Sequence, residues 1–204
     1  MAQSTDFLVI GSGVAGMWFA LKAARHGQVT IITKRTSAES NTRYAQGGVA
    51  AVWTPEDSFE DHIDDTLVAG AGLCRREAVE VTVREGPDRV QELIDFGVQF
   101  TRKGDEYSLH REGGHSVRHI LHAADMTGAE IVRALVSACE NHPNIEILEH
   151  QMAIDLITEK WIARRTGEIP PEDNCVHGAY VLDLGTNEVK VFISKIVVMA
   201  TGGA

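Results

Sequence analysis

The sequence predicts an α/β fold, a Rossmann-like dinucleotide-binding parallel sheet that carries a small antiparallel β-meander. Three observations predict it. The chain opens with an apolar strand, a glycine turn, a helix and a second strand inside ~30 residues, the size of one βαβ unit. Its 204 residues are 44% hydrophobic, enough for one substantial core or two small ones. Four short apolar runs between residues 145 and 193 read as strands joined by polar turns.

The elements follow in order. "DFLVIG", from Asp6, is apolar without alternation, as a strand buried on both faces should be. "VAGMWFALKAARHG" supplies Ala15, Trp18, Ala20, Leu21 and Ala24 for packing and ends at Gly27. "QVTIIT" is the second strand, and loop character runs from Lys34 to about Pro55. "DSFEDHIDDTLVAG" reads as a helix with Asp57 and Glu60 in a capping pattern and Phe59, Ile63 and Leu67 as its stripe. "REAVEVTVREGPDRVQELIDFG" is helical but predicted to break at Gly86-Pro87, with Pro87 opening a second helix. Thr127 and Glu130 suggest a capping box for "GAEIVRALVSACEN". "IEILEH", "MAIDLIT", "VHGAYVLDL" and "VKVFIS" are the four short strands, with "ARRTGEIPPEDN" a proline-bearing loop between them. "KIVVMATGGA" is one more buried strand running into small residues, and such a strand end is where an open α/β sheet meets its ligand. The expectation is one incomplete domain over residues 1–204, the N-terminal part of a longer protein.

Composition narrows the partners. With 29 acidic and 19 basic side chains the formal charge is −10, which disfavours nucleic acid and anionic membrane. No run approaches the ~20 apolar residues of a membrane span, and "MAQSTDFLVIGSG" lacks the basic start of a signal peptide. Cys74, Cys139 and Cys175 are scattered, which predicts reduced thiols and a cytoplasmic location.

"GSGVAG", Gly11 to Gly16, is a GxGxxG in the required strand–turn–helix context. The first glycine allows the turn, the second lets backbone approach a pyrophosphate, and the third packs helix on strand. The acid that would grip a ribose in an NAD site is missing: Thr33, Lys34 and Arg35 stand there. Two readings stay open at this point, a 2′-phosphate held by Lys34 or Arg35 (NADP), or an FAD site. Further on, "NTRYAQGGVAAV" strips side chains from Gly47 and Gly48 so that backbone can lie on a flat ligand, beside Gln46 with its donor and acceptor. "LHREGGHSVRH", residues 109–119, crowds Glu112, two glycines, three histidines and two arginines together. With His122 it holds four histidines, but their spacing fits no standard zinc pattern, so no metal is expected.

Taken in order, "GSGVAG", "TKR", "NTRYAQGG", "REGGHS", "HAADMTG" and "ATGGA" resemble the flavoproteins of the succinate dehydrogenase/fumarate reductase superfamily, most of all its aspartate-oxidising branch. The resemblance runs from Phe7 to Ala204. It implies FAD as cofactor, with Gly11, Ser12, Gly13, Val14, Ala15 and Gly16 at the pyrophosphate and Lys34 near the adenosine ribose. It further implies Asn41, Thr42, Arg43, Tyr44, Ala45, Gln46, Gly47 and Gly48 along the flavin, Met152 and Ala153 at the adenine, and Thr201 and Gly202 closing the site. Where respiratory members carry the histidine that bonds covalently to flavin, this chain has Asn41, so its FAD should be non-covalent.

The resemblance also implies a reaction: L-aspartate to iminoaspartate, the first step of de novo NAD biosynthesis, with oxygen or fumarate as acceptor and quinolinate synthase as a possible partner. Glu112 replaces a residue that is usually apolar in the dicarboxylate-oxidising branches. A carboxylate repels succinate but attracts an α-ammonium group, which makes Glu112 the expected selector for aspartate. His115, Ser116 and Arg118 are expected to line the mouth of the site or to bond the FAD, and paired arginines of relatives are reduced here to Arg118 with His119. The substrate-gripping residues of a capping domain would lie beyond Ala204, so this chain alone should turn over nothing. The rival readings are a fumarate reductase or succinate dehydrogenase flavoprotein subunit, and a non-enzymatic FAD- or NADP-binding module.

Overall fold

A computed structural model describes residues 2–124, 126–169 and 171–203. Along the chain come β1 (Gln3–Ile10), α1 (Val14–Ala23), β2 (Val29–Ile32), a 3-10 turn (Asn41–Tyr44), β3 (Val49–Ala50), α2 (Phe59–Ala69) and α3 (Arg76–Asp95). Then follow β4 (Arg102–Lys103), β5 (Glu106–Tyr107), β6 (Leu109–His110), β7 (Ile120–Leu121) and α4 (Thr127–Glu140). Last are β8 (Ile145–Leu148), β9 (Gln151–Thr158), α5 (Glu159–Thr166), β10 (Val176–Asp183) and β11 (Glu188–Met199). The residues fall into two compact units, Met1–Asn41 with Leu135–Ala204, and Thr42–Ala134.

The first unit is built on a six-stranded sheet ordered β8-β2-β1-β11-β10-β9. β8, β2, β1 and β11 are mutually parallel, and β10 and β9 continue antiparallel. The meander is therefore the edge of the main sheet. β1 and β2 are buried on both faces, as their unbroken apolar runs predict: Leu8, Val9 and Ile31 have no exposed surface. One face packs Leu8, Ile10, Ile32, Ala179, Val181 and Phe192 into a cluster.

Two local expectations change here. "VKVFIS" and "KIVVMA" are a single strand, β11, because Phe192 to Ser194 pair with Gln3 to Thr5 and Ile196 to Met199 pair with Phe7 to Ile10 in one register. The first third of the expected polar loop, Ala163 to Thr166, belongs to helix α5. Thr158 caps it by accepting from the Trp161 N–H at 3.1 Å, Arg164 and Arg165 occupy its last turn, and Gly167 ends it in the left-handed conformation. All three signals are in the sequence. The neighbouring "GEIPPEDN" outweighed them.

In the second unit α3 runs unbroken through Pro87. A proline removes one i→i−4 hydrogen bond, but Val79, Val83, Val90 and Leu93 form one buried stripe across it and hold both halves on a common axis. Val79 and Val83 meet Ile63 of α2. The cap of α2 is Ser58, which accepts from the Asp61 N–H at 3.0 Å. Asp57 is engaged elsewhere, as described below. Thr127 is the first residue of α4, and among the described residues no capping box forms: its hydroxyl accepts from the Ala123 N–H, while Glu130 takes the Gln99 N–H at 2.8 Å and pairs with Arg133 at 2.7 Å.

Candidate functional site: a dinucleotide turn and a polar cavity

In the first unit β1 runs into the turn Gly11-Ser12-Gly13. Gly11 has φ +114°, and a Cβ there would collide with the Ala200 carbonyl, so both conformation and space demand glycine. Gly13 caps α1 with extended backbone, no side chain caps this end, and no acidic residue occupies the first turn. A diphosphate suits it, since the helix dipole and main-chain N–H groups favour an anion there. Ser12 keeps its side chain inside: it is buried and donates to Thr33 Oγ1 at 3.1 Å, tying the ends of β1 and β2 together. Val14 and Ala15 begin the helix, and Gly16 packs against the Gly11 carbonyl, where a Cβ would not fit.

The other residues expected at the cofactor lie as follows. Lys34 is exposed just past β2. Met152 is 38% exposed on β9, and its neighbour Ala153 pairs with Val181. Thr201 and Gly202 follow β11 and are exposed. Gly202 lies beside Asn41, the amide nitrogen standing 3.8 Å from where a Gly202 Cβ would be. Asp125 of "HAADMTG" and Ala204 of "ATGGA" fall outside the described residues.

In the second unit the chain from Arg43 to Gly48 is exposed residue after residue. Thr42 and Ala45 close a turn, N–H to carbonyl, at 3.1 Å, and the Ala45 carbonyl accepts from Gly128 at the start of α4 at 3.0 Å. A Cβ on Gly48 would strike Ile120 and the Leu121 carbonyl. Its absence lets β3 pair with β7, Val49 against Leu121 and Ala50 against Ile120. β6 pairs on the other side of β7, His110 against Ile120.

This small sheet forms one wall of a cavity of about 450 Å³ lined by Gln46, Gly47, Gly48, His110, Arg111, Glu112, Arg118, Ile120, His122 and Ala124. The cavity wall holds Glu112, two arginines and two histidines, so both signs of charge are present. Glu112 Oε1 stands 3.4 Å from the position of a Cβ on Gly47, so the carboxylate and the bare backbone are immediate neighbours.

His115 and Ser116 do not line this cavity. Ser116 is bound to Asp65 of α2, its N–H at 2.5 Å and its hydroxyl at 2.8 Å. Partial burial pushes the Asp65 carboxyl up, but the two Ser116 hydrogen bonds, helped by His115 and His119, outweigh it and hold the group below the usual range. His115 packs edge-on against His119 at 4.6 Å. His119 is fully buried and pairs through Nδ1 with Asp57 Oδ2 at 3.0 Å; both side chains are wholly inaccessible. His62 lies against it at 4.3 Å. Burial, then the neighbouring His119, lowers the His62 pKa. Among the described residues no group of three or more His, Cys, Asp or Glu is arranged to hold a metal ion.

Sequence reasoning missed Asp57, Asp65 and His62 as site supports, and Arg111 and His122 as wall. The alternation in "RHILH" was the available signal: Arg118, Ile120 and His122 face the cavity, while His119 and Leu121 have no exposed surface.

The chain matches the FAD binding domain family over residues 6–204. It is 51% identical over 201 residues to the chloroplastic L-aspartate oxidase 2-a of Nicotiana tabacum, covering 98% of this chain and 30% of that protein. It is 45% identical to the L-aspartate oxidase of Pseudomonas aeruginosa, covering 98% of this chain and 37% of that protein. Among solved structures it resembles a mutant of the E. coli quinol fumarate reductase FrdA, with TM-score 0.86, 28% identity, and coverage of 100% of this chain and 34% of that one. The Mycobacterium smegmatis Sdh1 complex is also similar, with TM-score 0.83, 30% identity and coverage of 99% and 35%. The chain spans about a third of the length of these relatives. The chain belongs to the FAD binding domain family, and FAD is its cofactor.

Proposed function

We propose that the protein of which this chain forms a part oxidises L-aspartate to iminoaspartate, passing the electrons to oxygen or fumarate. The observation that carries the reading is Glu112 in the cavity wall beside the bare backbone of Gly47. A carboxylate there attracts the ammonium group of an amino acid and opposes a plain dicarboxylate. The relatives named L-aspartate oxidase support the same reading.

The roles divide as follows. The Gly11–Gly16 turn and the N-terminus of α1 would hold the FAD pyrophosphate, and the run from Asn41 to Gly48 would lie along the flavin with Gln46 beside it. FAD, when bound, supplies the two-electron acceptor for the Cα–H bond of the substrate. Glu112 orients the amino group by a charge-assisted hydrogen bond, and Arg111 and Arg118 balance the charge of the carboxylates. His115 and Ser116 act at one remove: with Asp65 they brace the loop that carries Glu112. Asn41 cannot form the histidyl–flavin bond of respiratory relatives, so the FAD is non-covalent and acid precipitation should release it completely.

The cell compartment is read as the cytoplasm from the three free cysteines. Among the described residues no helix is long and apolar enough to cross a membrane. Iminoaspartate hydrolyses readily in water, which favours an enzyme such as quinolinate synthase as the direct consumer of the product.

The test uses the full-length protein without oxygen, following bleaching of the flavin absorbance by L-aspartate and, separately, by succinate. Bleaching by aspartate alone is expected, and Glu112→Gln should slow it. Bleaching by succinate alone would reject the reading in favour of the dicarboxylate dehydrogenases.

A further inference from the structure

His122 is built into the cavity wall in an unusual state. The residue is 9% exposed, and among the described residues both ring nitrogens are buried without a hydrogen-bond partner. An imidazole always has hydrogen-bonding capacity at both nitrogens. Leaving both unmet in the interior opposes folding, and most buried polar groups in proteins are paired. The ring is nevertheless held firmly. It stacks on His110 with centroids 3.7 Å apart and planes 17° from parallel. The His122 carbonyl accepts from the Thr101 N–H at 2.8 Å, and β6 and β7 fix the two histidines as diagonal neighbours on one face of the small sheet. A ring fixed by stacking and backbone, with both nitrogens buried and unmatched, in a residue that lines a cavity also holding Glu112, Arg111 and Arg118, needs only a small turn to meet a ligand there.

The wall specifies the chemistry. Glu112 takes a cation, and the two arginines and two histidines take an anion. We infer that His122, its plane set by His110, is a substrate-binding residue that donates a hydrogen bond to a carboxylate of the amino-acid substrate while Glu112 receives the ammonium group. The inference rests on the proposed oxidation of aspartate and adds to it a carboxylate contact contributed by this part of the chain. It divides recognition between two side chains that respond differently to ligands. His122 senses any dicarboxylate. Glu112 senses only one that carries an amino group.

The experiment uses the full-length holoprotein and titrates the flavin absorbance change, without oxygen, with succinate as a non-reacting probe, alongside steady-state kinetics with L-aspartate. His122→Phe keeps the stack and removes both nitrogens. It should retain full FAD occupancy and thermal stability, and weaken both succinate binding and the KM for aspartate by about tenfold or more, the range for losing a hydrogen bond to a charged group. Glu112→Gln should raise the KM for aspartate while leaving succinate binding unchanged or tighter. His110→Leu, which removes the stacking partner, should reproduce part of the His122→Phe effect. If His122→Phe binds succinate and aspartate as wild type does, the inference is wrong. If it loses FAD, the ring serves the flavin and the inference is again wrong. If the wild-type protein is not reduced by aspartate, the proposed oxidation itself fails, a result separable from a failure at His122 alone.

Discussion

The buried pair Asp57–His119 should be the most sensitive point of the second unit. The perturbation is Asp57→Ala. It leaves His119 Nδ1 without its 3.0 Å partner in a place where Nε2 is already buried and, among the described residues, unmatched, and it takes the Oδ1 acceptor from the Ser58 N–H at the cap of α2. Breaking a buried pair from one side costs about 3–5 kcal/mol, because the remaining group stays desolvated and unmatched. The opening is local: the His119 carbonyl accepts from Ala51 N–H at 3.0 Å, next to the β3–β7 ladder. Hydrogen exchange of the full-length protein, read on peptides covering β3 and β7, should therefore show protection lower by roughly a hundredfold to a few thousandfold. Removing both partners, Asp57→Ala with His119→Leu, should recover much of that loss, since no polar group is then stranded. A loss under about tenfold for the single variant, or a double variant no better than the sum of two singles, would refute the reasoning.

Other consequences can be measured separately. Gly11→Ala needs a left-handed backbone and collides with the Ala200 carbonyl, so it should cost at least about 2 kcal/mol and release FAD, seen as a lower melting temperature and a colourless protein. The Cys139 thiol is pushed up to about 12 by burial and then by Glu140, so at pH 8 an alkylating reagent should modify exposed Cys175 first and leave Cys139 untouched until unfolding. His62 favours its neutral form in the fold, so the unfolded chain binds more protons below its ordinary pKa; its contribution is complete above about pH 6.5 and is lost as the pH falls. Asp65, whose pKa is lowered, acts in the same direction at lower pH, its stabilisation vanishing as the carboxylate protonates. A melting temperature that falls from pH 7 to pH 5, with a smaller slope in His62→Asn, is the expected result.

Local patterns in the sequence disclose the parts of this molecule that local chemistry determines. The βαβ opening is legible because strand, glycines and helix lie within one stretch and each fits the next. Pro87 misleads for the same reason: proline is a strong local signal, whereas the stripe that carries α3 past it is buried only by tertiary packing, with Val79 and Val83 against α2. Asp57 stands where a capping residue would, yet its partner is 62 positions away and becomes visible only in three dimensions. Glu112 is readable as a departure from a pattern. The partnership of Ser116 with Asp65 is not, because neither "GGHS" nor "IDDT" points to the other. His122 lies between these cases, since the strand alternation was present but too short to stand out among four histidines.

The Gly11 turn fits against Ala200, and Ile10 pairs with Met199, about 190 residues later in the chain. At a synthesis rate of ~5–20 residues per second, the first strand waits roughly 10–40 s on the ribosome for its partner. The whole of Thr42–Ala134 emerges during that wait. The nucleotide turn, though first in the sequence, is thus among the last features to be completed, and until β11 arrives one edge of β1 is an apolar strand open to the wrong neighbour. Truncation before Glu188, where β11 begins, should therefore do more than trim an end. It would remove the strand that shields β1, and the expected outcome is aggregation of the nascent chain.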